Sequence, residues 1–318
     1  MSSPAPSGRP LADGIIVLNK PKDVTSMDVV RMVKRVTRVK RVGHAGTLDP
    51  IATGVLPICF GQATRLMEYL VDGQKIYQAE FTLGSATDTY DSTGTETHTG
   101  DWSKVTRADV EAQIPLFSGP VLQRPPMYSA LKYEGQRLYD LARAGVEVER
   151  AEREVVVHQL ALTEWSPPQI SVEVRCGRGF YMRTFAHDLG IALGCYANLS
   201  KLARAQAGPF TLDAAIGPEE VEDSAETEDG WRSLLLPPDA ALTKLEPVRI
   251  DEAAERHLRN GQPVTVAGAS VYVRHLETRR AYSAEGRFLG IVRFNRPDGQ
   301  WRPEKVFSLP DPSPHAPD

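Results

Sequence analysis

An acidic side chain set among glycines is the first feature of this sequence that could do chemistry. Residues 43–57 read Gly-His-Ala-Gly-Thr-Leu-Asp-Pro-Ile-Ala-Thr-Gly-Val-Leu-Pro, with Asp49 in the middle. Glycines let the backbone take positive φ or approach a ligand closely. An ionised carboxylate is available at neutral pH as a nucleophile or general base. The same Asp-Pro step also serves as a turn starter or helix cap, and from residue types alone both readings stand. His44 is a weaker candidate, because a lone histidine is commonly structural. A second stretch, Arg178-Gly179-Phe180-Tyr181-Met182-Arg183, mixes cations with aromatics as nucleic-acid surfaces do. Its plainer reading is a strand-to-helix junction with surface arginines. There is no Walker A loop, no G-x-G-x-x-G after a strand, no G-x-S-x-G and no H-E-x-x-H. Cys59, Cys176 and Cys195 are odd in number and form no C-x-x-C pair, which argues against a disulfide framework and a structural zinc site and suits a reducing cytoplasm.

The elements that must position these residues show in the hydrophobic pattern. Gly14-Ile15-Ile16-Val17-Leu18 reads as a buried strand ended by Lys20-Pro21. Thr25 to Asp28 offers a helix cap with an acid in the first turn. In the helix that follows, Val29, Met32, Val33 and Val36 make one face, and Arg31, Lys34, Arg35 and Arg38 repeat that spacing on another. Such a basic stripe is either a solvated face or an RNA contact. Residues 43–61 are expected to be a structured loop, 77–83 a strand, and 84–100 a Thr/Asp/Gly-rich loop. Residues 124–152 are polar with aromatics and hold an amphipathic helix around 139–143, stopped by Gly145. Residues 170–175 alternate as a strand, and 181–193 have helical spacing ending at Gly194. The short alternating runs of 264–294, among them Val271-Tyr272-Val273, suggest a small β-rich module.

Length and charge set limits. The 318 residues suit one large domain plus a small one. No apolar run approaches the ~20 residues of a membrane span, and residues 1–10 lack the apolar core of a secretory signal. The net charge of −4 argues at first against nucleic acid. Residues 217–230, however, hold seven acids and no base and are expected to be a solvated loop; without them 37 basic residues face 34 acidic ones. Local patches decide whether a phosphate backbone can dock.

Residues 43–54 resemble the signature loop of the TruB family, the bacterial tRNA pseudouridine-55 synthases. Further motifs resemble that family in order along the chain: Leu18-Asn19-Lys20-Pro21 with Thr25-Ser26, Lys75-Ile76-Tyr77, Pro125-Pro126-Met127-Tyr128-Ser129-Ala130-Leu131-Lys132, Gly179 to Thr184, and Gly208-Pro209-Phe210. The sequence departs from the usual pattern at Asn19, Asp23 and Phe180, and Leu202-Ala203-Arg204-Ala205 keeps one of two typical arginines. These departures bear on RNA affinity rather than on the catalytic assignment.

The resemblance implies a mixed α/β (α+β) fold. A catalytic domain with a central, mostly antiparallel sheet is expected over 11–243, with an RNA-gripping insertion at about 124–152. A PUA-like RNA-binding module is expected over 244–308, and residues 1–10 and 309–318 are expected to be disordered. The implied activity converts uridine 55 in the tRNA T-loop to pseudouridine. That reaction breaks N1–C1′, turns the uracil and joins C5 to C1′ with no redox change, so no cofactor is expected. Asp49 is the implied nucleophile or base, acting at C1′, at uracil C6 or on a ribose proton. Arg183 is expected to hold it in bidentate geometry and favour its ionised form, and Tyr77 to stack on the uracil. Lys20, Leu202, Gly46 and Asp91 match substrate-binding positions, and His44 matches the residue that fills the space of a flipped-out base. Arg31, Lys34, Arg35, Arg38 and Lys132 are the expected RNA grip. The implied partner is the T-arm of tRNA, met by a cytoplasmic monomer with no obligate protein partner. Three alternatives stand beside this reading: a non-catalytic tRNA-binding or folding chaperone, a guide-dependent relative, and a nucleoside or carbohydrate hydrolase using Asp88 or Asp91 as second carboxylate.

Overall fold

The computed structural model describes residues 12–224, 230–266 and 273–317. Strand β1 (Gly14–Lys20) leads into helix α1 (Ser26–Thr37), then β2 (Val42–His44), the Asp49 loop and β3 (Ala52–Phe60). Helix α2 (Met67–Asp72) precedes β4 (Lys75–Leu83), and β5 (Ser85–Thr87) pairs with β6 (Glu96–Thr99). Helix α3 (Arg107–Gln113) and β7 (Gly119–Gln123) lead to the insertion, which holds β8 (Lys132–Tyr133), β9 (Gln136–Arg137) and α4 (Leu138–Arg143). Then come β10 (Arg153–Ser166), β11 (Gln169–Cys176), α5 (Met182–Ala192), β12 (Ala197–Ala207), β13 (Phe210–Thr211) and α6 (Pro218–Asp223). A second unit holds β14 (Pro247–Arg249), α7 (Glu252–Arg259), β15 (Thr278–Tyr282), β16 (Phe288–Asn295) and β17 (Gln300–Val306).

Nine strands form the main sheet, in the order β1-β3-β12-β4-β11-β10-β7, with β2 on β3 and β13 on β12. Its pairings are antiparallel except β3 with β12. Both faces are covered. Ile16 and Leu18 of β1 join the core beneath α1 and α5, while Ile15 and Val17 join a second core shared with α2 and the C-terminal sheet. A strand buried on both sides reads as an unbroken apolar run, as β1 does.

Helix α1 starts where the cap signal placed it. Asp28 N–H donates to Thr25 Oγ1, and Thr25 N–H donates to Asp28 Oδ2, each at 3.1 Å. Such a cap contributes about 1 kcal/mol. The buried face is centred on Val29, Val30 and Val33, with Met32 and Val36 at its margins. Burying each valine is worth roughly 1.5–3 kcal/mol.

Four expectations are corrected. Residues 43–61 are not one loop: strands β2 and β3 occupy both ends and only 45–51 lack regular structure. Strand β3 lies between β1 and β12, buried on both faces, so it shows no alternation to reveal it. Its Gly54 has φ +104, and a Cβ there would collide with the Arg204 main chain. The stretch 84–100 is not all loop either, since β5 and β6 form a hairpin in it. The acidic stretch from 217 begins with helix α6, capped through Glu220 and anchored by buried Val221, rather than with a solvated loop. Finally, the tail at 309–317 packs instead of being disordered. Ser313 Oγ donates to Asp239, Ser313 N–H to Gly286 O at 2.9 Å, and Leu309 and Ala316 lie on the second core. Residues 1–10, 225–229 and the pair Val271-Tyr272 lie outside the described residues.

The C-terminal sheet runs β14-β15-β16-β17. Leu289, Val292 and Phe294 of β16 build this unit's own core with Val248, Leu258 and Trp301, whereas Phe288 and Ile291 turn to the core shared with the main sheet.

Candidate active site

Asp49 sits at the turn between β2 and β3, and its carboxylate meets the start of α5. Arg183, the second residue of that helix, donates from Nε to Asp49 Oδ2 at 2.9 Å. The arginine side chain is 5% exposed and the aspartate 35%, so a buried cation holds a carboxylate that reaches the pocket. The contact is single, not the expected bidentate pair. The other nitrogens of Arg183 are taken by Tyr128 O at 2.7 Å and Thr89 O at 3.3 Å. Asp91 lies behind, 3.8 Å from Nε, its Oδ1 accepting from Thr89 Oγ1, Thr93 N–H and Thr93 Oγ1. The guanidinium therefore has three other partners, Tyr128 O, Thr89 O and Asp91, besides Asp49.

The carboxylate opens into a pocket of about 230 Å³. Tyr77, Leu202, Gly46, Phe180 and Tyr181 are among its walls, with Ser129 and Ala130 from the start of the insertion. Sequence reasoning thus brought together Asp49, Arg183, Tyr77, Leu202 and Gly46. Burial pushes the Tyr77 phenol above its ordinary range, with Arg204 opposing, so Tyr77 enters as a neutral, flat surface. Gln123 fixes the neighbouring wall: its side chain accepts from Tyr181 N–H at 2.8 Å and donates to Tyr181 O at 3.1 Å.

Three sequence candidates do not line this pocket. Lys20 lies below the loop, where its ammonium donates to Pro21 O and Val24 O at 2.7 Å and to Pro50 O at 3.4 Å. Burial brings it down to about 8, although Asp49 and Asp23 oppose the shift. Lys20 thus ties the loop down through three main-chain carbonyls. His44 ends β2, with Nδ1 buried and unpartnered. Burial and then Arg204 push its imidazole below the ordinary range, which leaves it neutral at pH 7. Asp91 serves Arg183. Asp88 accepts from Thr95 N–H, and neither it nor Asp91 faces the pocket, so the second carboxylate of a hydrolase is missing there.

Two cations that sequence reasoning did not assign to the site line the pocket: Lys75 and Arg204. Arg204 occupies a buried position in the alternating burial of β12 and Lys75 is the buried first residue of β4; a charge in such a place was the available signal. Lys75 Nζ donates to Val71 O and to Gly73 O (2.6 Å for the latter), and burial brings it down to about 8. Among the described residues no cluster of three or more His, Cys, Asp or Glu side chains is arranged to hold a metal ion.

The basic stripe of α1 is exposed but partly engaged. Arg31 pairs with Asp28 at 2.6 Å, and Arg35 with Glu222 of α6 at 2.8 Å. Lys132 is exposed on the β8–β9 hairpin of the insertion.

Comparison with known proteins follows the same architecture. Residues 34–182 match the family model for the TruB family pseudouridylate synthase N-terminal domain, and 183–243 match that for the tRNA pseudouridylate synthase B C-terminal domain. The chain belongs to the TruB family. A relative from Dehalococcoides mccartyi named tRNA pseudouridine synthase B is 40% identical over 304 residues, 96% of this chain and 99% of the relative. Relatives of the same name from Geobacter sulfurreducens and Pseudomonas putida are 43% and 40% identical, covering 79% and 92% of this chain and 82% and 95% of theirs. Among solved structures, a Cbf5-Nop10-Gar1 complex aligns with TM-score 0.72 and 25% identity over 93% of this chain and 85% of that one. A H/ACA RNP bound to a substrate RNA shares the fold at TM-score 0.72 and 22% identity, over 93% and 85%. No described helix is long and apolar enough to cross a membrane.

Proposed function

We propose that this TruB-family chain converts uridine to pseudouridine in tRNA, at position 55 of the T-loop, with Asp49 as the group that starts the reaction. The observation that carries the reading is the carboxylate of Asp49, reaching the pocket while a buried, over-determined Arg183 holds it at 2.9 Å. A protein that only bound RNA would have no use for that pair. The pocket admits one base and not a stacked helix, so the target nucleotide must flip out, at a cost of a few kcal/mol in stacking. Inside, the N1–C1′ bond breaks, the uracil turns against Tyr77 and Leu202, C5 bonds to C1′, the C5 hydrogen leaves as a proton and N1 takes up a proton from solvent. No electrons are gained or lost, and the chemistry needs no cofactor. Flat and apolar walls suit a ring that must rotate, because they hold it in any in-plane orientation.

The grip on the T-arm comes from the exposed basic face of α1, the insertion and the C-terminal unit, which we read as a PUA-like module. The chain works in the cytoplasm as a monomer, without a guide RNA or protein partner. The test is to incubate the purified chain with an unmodified tRNA transcript and map pseudouridine along it. One pseudouridine at position 55, absent from a transcript carrying cytidine there, is the expected result. Modification elsewhere, or only when other proteins are added, would overturn the assignment. Binding should weaken steeply with salt as phosphate contacts are lost.

A further inference from the structure

We propose that Arg204 is a positioning residue for the reaction, its buried guanidinium setting the geometry of the loop that carries Asp49; the proposal rests on the isomerase reading above. Arg204 is 1% exposed and lies on β12. Its Nε donates to Val55 O at 2.8 Å, its Nη2 to Gly46 O at 3.0 Å and its Nη1 to Thr47 O at 3.4 Å. These three carbonyls bracket the Asp49 turn, two before it and one after. One rigid, planar group thus ties both ends of the loop to the centre of the sheet.

The guanidinium donates to three main-chain carbonyls and also interacts with the Tyr77 phenol, and none of these partners carries a negative charge. Burying a charge without a counter-charge is costly, and an ordinary core position would be filled more stably by an apolar side chain. The position is also tied to the pocket. Arg204 is directly opposite Tyr77 in the β12–β4 pairing, so the two side chains share a face of the sheet, and both line the pocket. On its other side, Arg204 is opposite Gly54 in the parallel pairing with β3, where the close approach of the main chains excludes a Cβ. The strand that positions Tyr77 and the loop that positions Asp49 are therefore registered against each other through this one residue. Arg183 orients the carboxylate itself, whereas Arg204 fixes the main chain from which it hangs.

The test uses Arg204→Lys and Arg204→Met in the full chain. Single-turnover tritium release from tRNA labelled at uridine C5 is measured beside tRNA affinity and a thermal melt. An ammonium keeps the charge, but its donors radiate from one nitrogen and cannot reproduce the planar fork whose three nitrogens reach Val55 O, Thr47 O and Gly46 O. Misplacing a reacting group by an ångström costs on the order of 100-fold. The expected result for Arg204→Lys is a loss of about 10- to 100-fold in rate with tRNA Kd within about 2-fold of wild type. Lys20 and Lys75 are themselves brought down to about 8 in wild type, so the rates are compared at pH 7, where both ammonium groups are charged.

A rate within about 3-fold of wild type for both variants would overturn the proposal. So would a loss of rate matched by an equal loss of tRNA affinity, or by unfolding of Arg204→Lys at the assay temperature, since each would make Arg204 general support for the fold. Failure of wild type to release tritium would instead defeat the isomerase reading on which the proposal rests.

Discussion

Arg183→Lys keeps the charge beside Asp49 and should still disable the enzyme. The guanidinium holds three partners at once: Asp49 Oδ2 at 2.9 Å, Tyr128 O at 2.7 Å and Thr89 O at 3.3 Å. A lysine ammonium on a side chain of similar reach can satisfy one of these directions well. The other two partners are then left to water or to nothing. Hydrogen bonds to charged groups are worth about 1.5–3 kcal/mol each, and water entering beside the exposed part of Asp49 replaces some of that. The net loss is about 3–4 kcal/mol of transition-state stabilisation, roughly 100- to 1000-fold in rate at about 1.4 kcal/mol per factor of ten. Affinity for tRNA should stay within about 2-fold, because a side chain only 5% exposed cannot contact the RNA backbone. Single-turnover tritium release with saturating enzyme reads the rate, and filter binding reads the affinity. A rate within about 5-fold of wild type would refute the argument that the guanidinium's directional contacts, and not its charge alone, hold Asp49.

Burial pushes the Asp188 carboxyl up to about 6, with Glu152 adding to the shift and Arg124 opposing it. A folded value above the ordinary 3.8 contributes stability below about pH 4 that is lost as pH rises through about 6. Asp188→Asn should therefore raise the melting temperature at pH 8 and leave it unchanged near pH 3.5, by no more than about 3 kcal/mol at 1.4 kcal/mol per unit; equal melts at both pH values would contradict the sign. Gly54→Ala forces a left-handed φ of +104 on an L side chain and drives its Cβ into the Arg204 main chain. It should cost about 1–3 kcal/mol from backbone strain alone, and the activity lost should exceed the stability lost, seen by comparing rate and melt. Glu222→Gln frees Arg35 from an exposed ion pair worth at most about 1 kcal/mol. It should tighten tRNA binding up to about 5-fold at low salt, and no change would remove this part of α1 from the RNA footprint.

Some of this was legible in the residues and some was not, for definable reasons. Helix α1 announced itself because Thr25 and Asp28 cap it and one face of valines is buried against the sheet. Strand β3 hid because both its faces are buried and because Gly54 and Pro57 look like loop residues; only the pairing with β1 and β12 explains them. The pairing of Asp49 with Arg183 followed from family motifs, 134 residues apart in the chain, since no local pattern links a loop to a distant helix start. Its single contact could not be foreseen, because the carbonyls of Thr89 and Tyr128 that claim the other nitrogens come from two further loops. Lys20 and His44 stand in the right motifs, yet packing turns them toward the back of the loop. Arg204 was visible as a motif arginine, but its role depends on three backbone carbonyls that have no sequence signature. The packed tail illustrates the same limit: Pro- and Asp-rich composition suggests disorder, but Ser313 finds the buried Asp239, whose Oδ2 also accepts from the Tyr282 hydroxyl of a third segment.

The central claim is that Asp49 starts an isomerisation of uridine in tRNA. Tritium release from an unmodified transcript labelled at uridine C5, with purified chain and no cofactor, tests it most directly when wild type and Asp49→Asn are compared. Asparagine keeps the size and can still meet Arg183, but it is neither a nucleophile nor a base of useful strength. Release by wild type and none by Asp49→Asn, with tRNA still bound, is the predicted result. Equal release by both would contradict the catalytic assignment, and binding without release by either would contradict the isomerase reading.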